Sequence, residues 1–138
     1  MTAVYEAIWA SGEDVLDLRK KLREEFEAHT SQPLGIPLHR YEGQLSFEDE
    51  GISLVGKSKD SHKEFRLVVP FGDISDVYLG WDDVLRRWKD TRALTKPLRI
   101  TFENQGKKAL YIYAKRVGAR IYGNQNKTLY EGLKVSIE

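Results

Sequence analysis

Apolar and polar residues alternate in several short runs, and this alternation restricts the fold more than any other feature of the sequence. A period of two places alternate side chains on one face of a β-strand, so each run predicts a strand with one buried face. Turn-forming residues at 48–51 and 104–106 separate neighbouring runs, which predicts antiparallel hairpins there. The alternating residues are Leu45 and Phe47, Ile52 and Leu54, Phe65, Leu67 and Val69, and Leu98, Ile100 and Phe102.

Further segments extend the β pattern. Residues 74–79 form a short apolar run, and residues 109–114 place two aliphatic side chains on one strand face and two tyrosines on the other. Residues 117–122 are a candidate for a last strand. Six or seven short antiparallel strands close into a barrel or two packed sheets, because an open sheet would leave long edges exposed. We therefore expect a mainly β protein with helices at its termini.

A helix is predicted near the N-terminus. Ser11, followed three residues later by Asp14, has the pattern of an N-cap, and apolar residues then recur at spacings of three and four, which predicts a helix at 12–28. Its narrow apolar stripe is expected to dock on the sheet, with a dimer contact as the alternative. The apolar patch before it, at residues 4–9, is interpreted as a helical turn or an arm.

The C-terminal pattern leaves two alternatives open. Leu129, Leu133 and Ile137 recur every four residues, which favours a closing helix, but Leu133, Val135 and Ile137 also alternate as in a strand. Earlier in the chain, residues 82–95 interrupt the strand pattern and suit a short helix or an ordered insertion.

The length of 138 residues fits one domain. The absence of cysteine excludes disulfides, thiolate zinc sites and cysteine nucleophiles. No signal-peptide pattern is visible, and no apolar run approaches the roughly 18 residues that a membrane span needs. We expect a soluble, cytoplasmic protein in which residues 1–40 are a helical extension and connector and residues 41–138 are a barrel domain, together forming one structural unit.

Three segments resemble a known superfold: GQLSF at 43–47, GISL at 51–54 and VPFGDISDV at 69–77. This pattern resembles the PH-like superfold, and within it the GRAM-type domains and the bacterial PH-like proteins of unassigned function. The resemblance implies an antiparallel barrel of six or seven strands with a C-terminal capping helix, here with an extra N-terminal helix. It implies a scaffold rather than a particular activity.

Charge is unevenly distributed along the chain. Residues 1–55 carry a net charge of −6 and residues 56–138 a net charge of +7, and residues 104–130 contain six cations and no carboxylate. An anionic partner is expected if these cations share one face. Cations spread around a barrel would instead be ordinary solvated surface residues.

One group of candidate residues could bind an anion. These residues flank and fill a predicted loop between two strands. In phosphoinositide-binding PH domains a similar loop ends in a basic-x-Arg pair, but here Glu64 occupies the position of the second cation. Such a loop could close around phosphate oxygens, and a solvated loop is the competing interpretation. The anion- or lipid-binding candidates are Lys57, Lys59, Lys63 and Arg66.

A second group could contact another protein, because aromatic and arginine side chains dominate protein interfaces. The resemblance also implies a half-open sheet edge and a groove beside the closing helix, both suited to peptide capture. The protein-contact candidates are Trp81, Arg86, Arg87 and Trp88.

Nothing in the sequence points to catalysis or to a metal. The three histidines, His29, His39 and His62, have no ligand spacing, and no nucleophile motif or phosphate-binding glycine loop is present. We expect no catalytic residues, no cofactor and no bound metal, and the near-zero total charge disfavours nucleic acid as a partner. The sequence thus predicts a non-catalytic binding or scaffolding domain with an unidentified protein partner; the alternative is an anionic lipid at a membrane surface.

Overall fold

A computed structural model describes residues 3–16, 40–58, 61–82, 96–116 and 125–137. Seven strands are present in these ranges: β1 (Ala3–Ser11), β2 (Tyr41–Phe47), β3 (Gly51–Ser58), β4 (Glu64–Pro70), β5 (Ile74–Leu79), β6 (Leu98–Glu103) and β7 (Lys107–Arg116). They form a single sheet in the order β4-β3-β2-β1-β7-β6-β5, and every neighbouring pair is antiparallel. The mainly β prediction and the predicted number of strands are therefore confirmed.

The sheet is curled into a half-barrel. Its two outermost strands, β4 and β5, follow each other in the chain and are joined by a 3-10 turn, Phe71–Asp73. Pro70 is the last residue of β4, as the sequence predicts.

The predicted hairpins are present at both turn segments. β2 pairs with β3 in an unbroken register from Tyr41 opposite Ser58 to Phe47 opposite Ile52. β6 pairs with β7 around the 104–106 turn, where Gly106 adopts a φ of +115° that few other residues tolerate. The candidate strand at 117–122 lies outside the described residues.

The interpretation of residues 4–9 as a helical turn or an arm is wrong. They belong to β1, which pairs with both β2 and β7 near the middle of the sheet. The side chains of residues 7–10 are all buried, so this strand has no polar face and shows no alternation. Residues 3–11 are thus part of the sheet, while the boundary drawn at residue 40 stays a prediction.

A short piece of the N-terminal helix, α1, is described at residues 12–16. Its predicted cap is confirmed: the Ser11 hydroxyl accepts a hydrogen bond from the Asp14 N–H at 3.0 Å, and the Asp14 carboxylate accepts one from the Ser11 N–H at 3.2 Å. These two bonds satisfy backbone donors at the start of the helix. Val15 is buried, and the remainder of the predicted helix lies outside the described residues.

The C-terminal segment is a helix, α2 (Asn126–Ile137), which packs mainly against β5. Leu129 and Leu133 are buried in the core, whereas Val135 is 74% exposed, so the helical alternative is confirmed and the strand alternative is wrong. Within the described ranges, no helix is both long enough and apolar enough to cross a membrane.

One main core fills the concave side of the sheet. Trp9 is fully buried there and packs over Gly56, where an added Cβ would lie 2.7 Å from the Trp9 ring. A second group is buried on the convex side of β1 and β7; its members are Ile8, Ala10, Val15, Tyr111 and Tyr113. Both faces of the central strands are therefore covered.

Candidate functional site

The anion-binding candidates lie at the connection between β3 and β4. Lys57 is exposed near the end of β3, Lys63 is exposed just before β4, and Arg66 is exposed on β4. Lys59 lies outside the described residues. Lys57 and Arg66 thus lie on neighbouring strands, and Lys63 lies in the connection between them.

Glu64 weakens the positive charge of this group. Its carboxylate accepts a hydrogen bond from the Arg66 Nε at 2.8 Å, and this bond, together with the Arg66 charge, lowers the pKa of the Glu64 carboxyl. Glu64 also stands opposite Lys57 in the strand register. The Arg66 and Glu64 side chains are 74% and 62% exposed, so their ion pair adds little stability. Two of the three described cations therefore have a carboxylate as a neighbour.

β4 forms one edge of the sheet, and its backbone shows which groups are free to bind. The Ser58 N–H donates to the Lys63 oxygen at 2.9 Å, and the Phe71 N–H donates to the Glu50 oxygen at 3.0 Å, so the residues flanking β4 at both ends bond toward β3. Residues of an antiparallel pair alternate between bonding and facing away. Residues 65, 67 and 69 therefore bond to β3, and residues 64, 66 and 68 direct their N–H and C=O groups away from the sheet.

The residues whose backbone faces this outer edge have exposed side chains. Glu64, Arg66, Val68 and Pro70 are all exposed, and Val68 is 69% exposed. Val68 is not among the candidates from the sequence, although an apolar residue at a polar position of an alternating run was a visible signal. Within the described residues no strand pairs with the outer side of β4, so Val68 places an exposed apolar side chain beside outward backbone groups that can accept another strand.

The opposite edge strand, β5, is different. The Gly80 N–H donates to the Pro97 oxygen at 2.9 Å, in register with the β5–β6 ladder, so Val77 is among the residues whose backbone faces the outer edge. Val77 is only 3% exposed, and α2 packs on β5. The outward-facing residues of β4 are therefore more exposed than Val77, the residue of β5 whose backbone faces outward.

The concave side of β4 is lined by aromatic residues. Phe65 and Leu67 are half-buried and contact the core. The Phe65 ring lies 4.5 Å from the Tyr41 ring and 5.6 Å from the Trp9 ring, measured between centroids. A strand added beyond β4 would cover Phe65 and Leu67, and this additional apolar burial would favour binding.

Of the four protein-contact candidates, only Trp81 lies within the described residues. Trp81 is half-buried after β5, and its backbone oxygen accepts a hydrogen bond from the Tyr78 hydroxyl at 3.4 Å. Arg86, Arg87 and Trp88, and with them most of the predicted 82–95 insertion, lie outside the described residues.

The residue after Trp81 is held to the convex face of the sheet. The Asp82 carboxylate accepts hydrogen bonds from the Tyr111 hydroxyl at 2.6 Å and from Arg99 at 2.9 Å, and Arg99 also donates to Asp76 at 3.0 Å. Burial, and next the bond to Asp82, raise the pKa of Tyr111. Burial opposes the charge of Arg99, but its bonds to the two carboxylates outweigh this and raise its pKa. The hydrogen bonds from Tyr111 and Arg99 thus hold the Asp82 side chain in place.

Two of the described cations of residues 104–130, Lys107 and Lys108, lie apart from the β3–β4 group. Lys107 and Lys108 line a cavity with α1, whereas Lys57 lines a groove over β1, β2 and β3, and no residue is common to the two. β1 and β2 also separate β7 from β3 in the sheet order. Within the described ranges, no group of three or more histidine, aspartate or glutamate side chains is placed to hold a metal ion.

Comparison with known protein families finds no family model that matches the chain, and comparison with curated proteins finds no match.

Proposed function

We propose that this protein is a non-catalytic interaction domain that binds an extended segment of another protein as an eighth strand along β4. The observation that carries the proposal is the set of outward backbone groups of Glu64, Arg66 and Val68, all on solvent-exposed residues. Main-chain hydrogen bonds would supply the affinity, and the side chains on the two faces of the new strand would supply the specificity.

The chemistry of β4 defines the partner. Residues of the added strand that face the concave side would lie beside Phe65 and Leu67, so apolar side chains fit there. Residues on the convex side would lie beside Arg66 and Val68, which favours an acidic residue next to an apolar one. The expected partner is an extended segment with alternating apolar residues and one acidic residue among its outward side chains.

The anionic lipid remains the second candidate from the sequence. Lys57, Lys63 and Arg66 lie close along the chain, but Glu64 bonds to Arg66 and stands opposite Lys57. A phosphate would have to compete with this carboxylate for the same cations. The main-chain hydrogen bonds of strand addition need no such exchange, and we therefore favour it.

The PH-like superfold remains our proposal for the fold family. It is supported by seven antiparallel strands in a curled sheet and by a C-terminal helix packed on β5. The peptide proposal does not depend on this assignment, because it follows from the open edge alone.

Selection of peptides from a random displayed library, followed by amide mapping by NMR, tests the proposal. We expect the selected peptides to protect the amides of Glu64, Arg66 and Val68 from solvent exchange. Val68→Pro should weaken binding by about tenfold or more, because it removes an edge donor, which is worth roughly one hydrogen bond. The substitution should leave the β3–β4 ladder intact because the Val68 N–H faces away from β3.

Val68→Thr is the matched control, since threonine keeps both the N–H and the β-branched shape. It should bind the selected peptides within about threefold of the wild type. Peptides that map to another surface, or that bind Val68→Pro as tightly as the wild type, would refute strand addition. Anionic vesicles that perturb these amides without any peptide would favour the lipid alternative instead.

A further inference from the structure

A second cavity lies on the convex side of the sheet, where α1 meets the start of β7. Its volume is about 350 Å³, and its lining includes Gly12, Glu13, Leu16, Lys107, Lys108 and Ala109. This volume is in the range of cavities that take small organic ligands, about 300–1,000 Å³. None of the residues of the β4 edge takes part in it.

The floor and one wall of this cavity are apolar. Gly12 lies against β7, and a Cβ at this position would be 3.8 Å from the Tyr111 ring and 4.0 Å from the Ala109 Cβ. Leu16 forms part of the wall and is 48% exposed. A ligand with a hydrocarbon portion would cover this leucine and remove apolar surface from water.

The charged groups of the lining are two lysines and one glutamate, which gives the cavity a net positive charge. In the described part of the chain, neither Lys107 nor Lys108 forms an ion pair; Glu103 stands opposite Lys107 in the register but not within ion-pair distance. Strand alternation places Lys107 on the same face as Ala109 and Tyr111. Lys107 is therefore the cation best placed to meet a ligand in the cavity.

We propose that this cavity binds a small amphipathic anion, with its hydrocarbon portion on Leu16 and Ala109 and its carboxylate or phosphate at Lys107. Lys108 strengthens the positive potential at the rim. Glu13 opposes the ligand's charge and limits its affinity. The same chemistry is offered by a free fatty-acid-like molecule and by an anionic lipid at a membrane, and the experiment below separates these two sources.

Octanoate is a suitable probe because it carries one anionic group on a short hydrocarbon chain. In an NMR titration we expect saturable shifts of the Gly12, Leu16 and Ala109 amides with octanoate and none with octyltrimethylammonium. Lys107→Gln should weaken octanoate binding by about threefold, the effect of one partly exposed charge pair. Glu13→Gln should strengthen it by a similar factor of about threefold, because it removes a like charge.

Lys134→Gln is the matched control, since it makes the same charge change on α2, outside this cavity. It should leave octanoate binding unchanged. Ala109→Leu provides a second variant, which fills the floor of the cavity without changing charge and should abolish the shifts. Its spectrum without ligand shows whether it folds.

Vesicles of neutral lipid with and without phosphatidylglycerol distinguish the source. Shifts of the same amides with monomeric octanoate indicate a free ligand, and shifts with anionic vesicles alone, weakened in Lys107→Gln, indicate a membrane lipid; both support the anion site. Equal binding of octanoate by wild type, Lys107→Gln and Ala109→Leu would overturn it. So would the absence of any response to octanoate and to anionic vesicles.

Discussion

The side-chain oxygen of Asn126, the first residue of α2, accepts a hydrogen bond from the backbone N–H of Ala114 on β7 at 2.8 Å. The same side chain donates to the Lys96 oxygen at 2.8 Å and to the Ile112 oxygen at 3.1 Å. Ala114 lies beyond the last residue of β7 that pairs with β6, so the buried amide of Asn126 takes the place of a missing strand partner. It thereby fixes the start of α2 to the sheet.

Asn126→Ala should destabilise the protein by about 2–3 kcal/mol, because it leaves buried backbone groups without partners. Asn126→Asp should destabilise it by a similar amount, since a carboxylate can accept from Ala114 but cannot donate to Lys96 and Ile112. The free energy of unfolding in urea measures both effects. Lys127→Ala, an exposed neighbour on the same helix, is the control and should stay within about 0.5 kcal/mol of the wild type. Equal stability of all four proteins would contradict the assigned role of Asn126.

Gly56 should not tolerate even one methyl group. A Cβ there would press on the Trp9 ring on one side and on the Glu42 backbone oxygen on the other, and neither can move freely inside the sheet. We expect Gly56→Ala to destabilise the protein by about 1–3 kcal/mol through overpacking. Gly72→Ala is the matched control, because no atom lies within 4 Å of an added Cβ. Thermal unfolding of the two variants compares them, and equal midpoints would show that Gly56 is not required by packing.

The hairpin strands β2, β3 and β6 could be predicted from the sequence because each mainly buries one face, which produces the period of two in Leu45, Phe47 and their successors. β1 could not be predicted in this way. Both of its faces are covered, so its buried residues 7–10 are consecutive and show no alternation. Local patterns also do not reveal the order of strands in the sheet. Lys57 and Arg66 were visible as candidates, but only the long-range pairing shows that β4 is an edge and that Val68 lies on it.

Hydrogen exchange should show an alternation along β4 in the free protein. The amides of Phe65, Leu67 and Val69 are expected to be protected, because residues in these positions bond to β3. The amides of Arg66 and Val68 should exchange at rates close to those of an unfolded chain. NMR-detected exchange at neutral pH measures each amide separately. Slow exchange at all five positions would mean that the β4 edge is covered in solution, for instance by a second copy of the chain.

Loss of the Tyr111 proton should make the protein less stable at high pH. Because burial and the bond to Asp82 raise its pKa in the folded state, the unfolded chain loses this proton first, at its usual value of 10.0. The stabilisation from the protonated hydroxyl is therefore complete below pH 10 and decreases as the pH rises above it.

The unfolding free energy of the wild type should fall more steeply above pH 10 than that of Tyr111→Phe, by at most about 1.4 kcal/mol per pH unit for one proton. The slopes are compared rather than the absolute values, since the variant also loses the hydrogen bond to Asp82. The ultraviolet absorbance of ionised tyrosine is an independent readout. Seven tyrosines are present, and the folded variant should show the same absorbance change as the wild type at the onset of tyrosine ionisation, because the raised pKa of Tyr111 delays its ionisation. A smaller change in the variant would show that Tyr111 titrates normally and that its contact with Asp82 does not hold the proton.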